Sequence, residues 1–95
     1  QEVKSCNTLM SNTELNVAEL KIAVQAALDG DWDTSHNIAQ NYKDPTANWL
    51  HAVLHKIEGD EWNSKYWYAE TSDKRFEDFN DSTKELIAIQ ASLTF

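Results

Sequence analysis

The stretch Asp44-Pro-Thr-Ala-Asn-Trp-Leu-His-Ala-Val-Leu-His-Lys-Ile-Glu-Gly-Asp60 contains both ends of one helix and the start of the next. An acid followed by proline opens a helix, because the acid caps free backbone N–H groups and proline's missing N–H costs nothing in the first turn. Trp49, Leu50, Val53, Leu54 and Ile57 then recur at helical spacing as one broad apolar stripe. Gly59 stops the helix by taking the left-handed conformation, and Asp60 caps its successor. The same Gly-Asp step occurs 29 residues earlier, at Gly30-Asp31, and a tryptophan follows each step, Trp32 and Trp62. This is a weak internal repeat of a helix–turn–helix unit, loosely tetratricopeptide-like. Ordinary capping chemistry accounts for such a recurrence equally well, and two units are too few for a solenoid.

Outward from that stretch the rest of the chain reads as helix. The first helix is expected over Thr13–Asp29, where Ser11 and Glu14 form a capping-box pattern. Its apolar residues cover more than one face, which predicts a central helix buried on several sides. Asp31 or Asp33 caps a second helix over Trp32–Tyr42, the third runs to about Glu58, and the fourth covers Glu61 to about Glu70. Thr71-Ser72-Asp73 forms a turn, Phe76 and Phe79 lie on a short helical turn, and Ser82 with Glu85 repeats the capping box before a last helix. The expected fold is all-α: a compact bundle of about five helices, built from two hairpins and closed by the C-terminal helix. Residues 1–10 are expected to be disordered and residues 11–95 to form a single helical domain. Met10-Ser11 is a candidate start, with residues 1–9 as an upstream extension.

The 95 residues suit one core, 41% hydrophobic and 11% aromatic. Gly and Pro together number three, and no alternating β-branched run occurs, which favours helices over strands. Sixteen acidic residues against eight basic ones give a net charge of −8, and Arg75 is the sole arginine. Such a surface repels phosphate backbones and anionic lipid, so neither nucleic acid nor membrane is an expected partner. The charge is otherwise a matter of solubility. One cysteine, Cys6, allows no internal disulfide. No stretch approaches the roughly 20 apolar residues of a membrane span, and the first nine residues lack the apolar centre of a signal peptide. A cytoplasmic location is the default expectation. Asn80-Asp81-Ser82 matches a glycosylation sequon, which has meaning only in a secretory context.

The block Trp49-Leu-His-Ala-Val-Leu-His-Lys-Ile-Glu-Gly-Asp60, continuing through Asn63 to Tyr66-Trp67-Tyr68, resembles a family of small bacterial and environmental hypothetical proteins. That family shares a Trp-x-His-Ala-x-x-His-(Lys/Arg)-x-Glu-Gly-Asp pattern followed by Asn-x-x-Tyr-Trp-Tyr. Gly30-Asp31-Trp32-Asp33, His36, Gln40 and Asp44-Pro45 are similar to it as well, so the resemblance covers roughly residues 20–70. It implies a helical fold and no known chemistry. Relatives tend to carry arginines after the Tyr-Trp-Tyr segment, where this chain reads Ala69-Glu70-Thr71, so an anion-binding role tied to them is not expected here.

His51, His55 and Glu58 form the sharpest constellation. At 100° per residue they lie within about 60° of one another, on a strip beside the apolar stripe. Two histidines at i and i+4 can share a metal ion such as zinc, with a carboxylate as third ligand, and His36 and Asp31 of the preceding hairpin could complete the set. Ala52 stands where the acid of a His-Glu-x-x-His protease would be, so that motif is absent. On the flank of an amphipathic helix such residues are more often solvated or structural polar pairs, for example Glu58 with Lys65 or Asp60 with His55. Tyr66, Trp67 and Tyr68 fan through about 200° of a helix and cannot share one core face. Trp62 and Tyr66, stacked at i and i+4, are assigned to the core, and Trp67 and Tyr68 to an interface. Cys6 lacks a fixed base, Ser64 is expected on a helix surface, and no glycine-rich phosphate loop occurs.

The preferred expectation is thus a non-enzymatic interaction module that binds a protein partner or itself, with no cofactor and no catalytic residue. The alternative is a small-molecule or metal site, of a binding protein or an enzyme, formed by His36, His51, His55 and Glu58 between the hairpins.

Overall fold

Both Gly-Asp steps fold into the same turn. Gly30 and Gly59 take φ of 90° and 88°, a left-handed conformation that suits glycine. At the first step the Asp31 N–H donates to the Ala26 carbonyl (2.8 Å) and the Gly30 N–H to that of Ala27 (3.1 Å). At the second, Asp60 donates to His55 (2.9 Å) and Gly59 to Lys56 (3.1 Å). These pairs are the Schellman closure, which satisfies carbonyls left over at a helix end. Each aspartate then caps the next helix, accepting from Thr34 and Asn63 respectively at 3.3 Å, with nearly identical backbone angles (−94°, 76° and −95°, 78°). The two turns thus share one geometry. The recurrence is not a tryptophan repeat, since the positions 29 apart are Ser35 and Ser64, both fully buried.

A computed structural model describes residues 12–93 of the chain. Its helices are α1 (Asn12–Leu28), α2 (Trp32–Ala39), α3 (Pro45–Ile57), α4 (Glu61–Ala69) and α5 (Ser82–Ser92), with a 3-10 turn at Phe76–Asp78. No strand occurs among the described residues. The protein is all-helical and its helices pack as a small bundle, as the sequence led us to expect. The segment 1–10 with Cys6, and the Ser11–Glu14 capping box, lie outside the residues whose side chains are described. α2 ends at Ala39, short of Tyr42, because Asn41 and Tyr42 turn back in tight bonds to the carbonyls of Ile38 and Ala39.

α3, and not α1, is the central helix. Every residue from Ala47 to Leu54 is buried, and α3 packs on α1, α2, α4 and α5. α1 contributes Leu20, Ala23 and Val24 to the core but leaves Ile22 exposed. Its apolar coverage exceeds the number of neighbours it has to cover it. α5 lies on α1 and α3 and adds Leu86 and Ile89, closing the bundle.

The rotation of α4 also differs from expectation. Ser64 is fully buried and donates its hydroxyl to the Ala52 carbonyl at 2.7 Å, and Tyr68, 3% exposed, lies one turn on. Fixing that face inward places Trp62 and Tyr66 roughly 160–200° away. They are 76% and 50% exposed, stacked on each other at the surface. Tyr68 is thus a core residue, and Ser64 is no surface serine.

Glu85 ties the bundle together. It does not form a capping box: Asp81 caps α5, accepting from the N–H groups of Thr83 and Lys84. Glu85 turns inward, 0% exposed, and accepts from Trp49 Nε1 (2.8 Å), Tyr68 OH (2.6 Å) and Lys56 Nζ (2.8 Å). Lys56 also donates to the carbonyls of Phe76 and Phe79 and lies over the Tyr68 and Phe76 rings. Breaking one side of a buried pair costs about 3–5 kcal/mol, because the remaining charge stays buried. Glu85→Ala is therefore expected to lower the unfolding free energy by about 3–5 kcal/mol, measured by urea denaturation; a loss within about 0.5 kcal/mol, as for an ordinary surface change, would show that the network is not structural.

Candidate functional site

The two short helices are each fastened to a carbonyl of α3. Trp32 of α2 donates its indole N–H to Leu54 (2.7 Å), and Ser64 of α4 donates to Ala52. Between these anchors lies a polar strip of α3. Asn48, His51, His55 and Glu58 fall within about 80° of one another by helical geometry. α2 lays His36 over this strip and α4 lays Trp67 over it.

The three histidines converge. His36 Nε2 and His51 Nε2 are 3.2 Å apart, so one ring donates and the other accepts. One nitrogen from each of His36, His51 and His55 lies within 4.8 Å of the others. The rings are held from outside: Trp32 stacks on His36 (4.7 Å between centroids, 9° between planes) and Trp67 on His51 (4.1 Å, 12°). His51 and His55 stack on each other at 4.9 Å. The His55 Nδ1 hydrogen bonds Glu58 at 2.6 Å. This bond directs the ring's other nitrogen away from the carboxylate, the arrangement that orients histidines on metals.

The electrostatics favour neutral rings at His51 and His36. Burial, and then the neighbouring rings of His36 and His55, lower the His51 pKa to about 4. His36 is lowered too, by burial first and His55 next, against smaller upward pulls from Glu58 and Asp33. Two imidazoles are thus uncharged at neutral pH, the form that can ligate a metal. Tetrahedral coordination with metal–nitrogen bonds of 2.0–2.1 Å puts neighbouring ligand nitrogens about 3.3–3.4 Å apart. The separation of His36 from His51 is close to that.

Of the residues singled out in the sequence, the structure brings together His36, His51, His55 and Glu58. Asp31 serves as the α2 cap and belongs to neither group of converging ligating side chains among the described residues. Asp60 stands near His55 and Glu58, but it binds the Asn63 backbone and amide, which lower its pKa. Glu58 does not pair with Lys65, which takes Glu61 instead (2.7 Å). Trp67 is a wall of the histidine cluster, and Tyr68 lies in the core beneath it. The bracing roles of Trp32 and Trp67 are invisible in spacing alone. Asn48, one turn before His51, carried a signal in its place on the strip.

Comparison with family models, with curated proteins and with solved structures finds no match. No helix of the described residues is long and apolar enough to cross a membrane.

The His51 shift has a pH signature. Its folded pKa lies below the unfolded value of about 6.5, so its contribution to stability is whole above that value and is lost as pH falls toward about 4. After discounting for solvent screening, a loss on the order of 2 kcal/mol is expected across that window. Unfolding free energies of wild type and His51→Gln at pH 7 and pH 4.5 check this: the variant should show the shallower dependence, and parallel profiles would contradict it.

Proposed function

We propose that this protein binds a divalent transition-metal ion of the zinc class through His36, His51 and His55, with Glu58 orienting His55. The observation that carries the reading is the convergence of three imidazoles from two helices, each ring braced by a group outside the cluster. Such bracing means that little side-chain order has to be created when the ion arrives. Imidazole nitrogens suit zinc, copper, nickel and iron over magnesium or calcium. Three protein ligands leave at least one position for water or a small ligand, as in open rather than closed zinc sites.

A second reading, self-association or protein binding, rests on the exposed Trp62–Tyr66 stack. Trp67 and Tyr68 no longer support it, since the cluster and the core use them. The metal reading is better supported because its residues converge.

Titrating metal-free protein with zinc against a competing chelator tests the proposal. One ion per chain is expected, with a dissociation constant below about 1 μM and a raised melting temperature. His36→Gln and His51→Gln should each weaken binding at least about 100-fold, and Glu58→Gln about 10–100-fold. Absence of saturable binding, or equal affinity in the histidine variants, would overturn the reading. Sedimentation of the same samples tests self-association: a monomer at all concentrations removes the self-association part of the second reading.

A further inference from the structure

The groove over α3 does not end at the histidines. Beyond His51 it widens into a cleft of about 320 Å³, floored by Asn48 and His51, with Lys43 on the connector after α2, Tyr66 and Trp67 on α4, and Glu70 just past the end of α4. That volume lies at the lower end of small-molecule sites, roughly 300–1,000 Å³. It holds a single cation and a single carboxylate, Lys43 and Glu70, and neither side chain has an ion-pair partner among the described residues.

Two polar atoms at the floor are also unused. The Asn48 Nδ2 donates to the carbonyls of Lys43 (3.4 Å) and Glu70 (3.5 Å), tying the cleft's two sides together, while its Oδ1 accepts from no group among the described residues. His51 is 6% exposed and spends its Nε2 on His36; its Nδ1 has no partner among the described residues. Neither atom is sealed from solvent, since the sole fully enclosed and unpartnered side-chain polar atom among the described residues is Ser35 Oγ. An ion held at Nε2 fixes a proton on Nδ1, and a ligating histidine normally gives that proton to an acceptor. Among the described residues none is provided, and the cleft lies beside it.

We propose that this cleft binds a small zwitterion of the α-amino-acid class with an apolar side chain. The carboxylate takes the Lys43 ammonium and the His51 Nδ1–H. The ligand's ammonium donates to Asn48 Oδ1 and Glu70. The side chain rests on Trp67 and Tyr66. One charge of each sign on the walls matches a zwitterion, and a bare anion gains little from an acid-rich surface with one local cation. Recognition by Lys43, Asn48 and Glu70 stands on the cleft alone; only its dependence on zinc rests on the metal reading.

The test uses the full chain, metal-free and with one equivalent of zinc, titrated with L-phenylalanine. The readouts are the NMR shifts of the Trp67 indole and the His51 ring, because amino acids chelate zinc in solution and would confuse a heat signal. Saturable binding is expected, at least about tenfold weaker for phenylacetate and for 2-phenylethylamine, each of which lacks one charge. Lys43→Ala and Glu70→Ala, both exposed positions, should each weaken binding about tenfold while leaving helicity and zinc affinity unchanged. Zinc should strengthen L-phenylalanine binding, and by reciprocity the amino acid should strengthen zinc binding by the same factor. Absence of shifts at millimolar L-phenylalanine, equal binding of the half-ligands, or indifference to both variants would each overturn the proposal. Binding that depends on Lys43 and Glu70 in a protein that takes up no zinc would overturn the metal reading and support the cleft assignment.

Discussion

A single carboxylate that has left the surface sets the geometry of this bundle. Glu85 sits at 0% exposure and receives hydrogen bonds from α3 (Trp49 and Lys56) and α4 (Tyr68). Removing a charge from water costs several kcal/mol, and only full pairing with good geometry offsets that. The arrangement is therefore all or nothing: α3, α4, α5 and the 3-10 turn must meet in one register for every partner to reach. Lys56 extends the same demand to the carbonyls of Phe76 and Phe79. Burial and the Glu85 bond also raise the Tyr68 pKa, so the hydroxyl stays a donor. Once Tyr68 is fixed inward, helical geometry turns Trp67 onto His51. The candidate site thus inherits its wall from a network on the far side of α4.

The paired Gly-Asp turns supply the other constraint. Their backbone angles repeat to within about two degrees, and the two short helices that follow both lie against α3. The side chains have diverged on this common frame. Where the first hairpin carries His36, the second carries Lys65, which points to Glu61 and solvent. Where the second carries Ser64, bonded to Ala52, the first carries Ser35, whose buried hydroxyl finds no partner among the described residues. Two like turns followed by unlike side chains leave one histidine cluster among the described residues, rather than two equivalent sites.

Much of this was legible in the sequence because it is governed locally. Proline after aspartate, glycine before aspartate and the apolar stripe at helical spacing fix helix ends without reference to the rest of the chain, and the His51–His55–Glu58 strip follows from 100° per residue alone. What failed depended on neighbours. Glu85 satisfied a capping-box pattern, yet Asp81 was the closer cap and Lys56 the stronger partner. Trp62 and Tyr66 matched a core pair, but the phase of α4 is set by Ser64 and Tyr68, whose partners lie 12 and 17 residues away. α1 carried enough apolar surface for a central helix, and lost that place to α3 because centrality depends on how many helices surround an element. The meeting of His36 with His51 was conceivable from the hairpin plan, while its closeness depended on the indole bond from Trp32 to Leu54.

The central claim is that three imidazoles from α2 and α3 share one ion. X-ray absorption at the zinc edge of the one-to-one complex tests it most directly. The expected result is a first shell of nitrogen and oxygen alone at about 2.0–2.1 Å, with the outer-shell scattering of three imidazole rings, falling to two in His51→Gln. A thiolate sulfur shell near 2.3 Å, which only the chain's single cysteine, Cys6, could supply, or a spectrum without imidazole scattering, would contradict it.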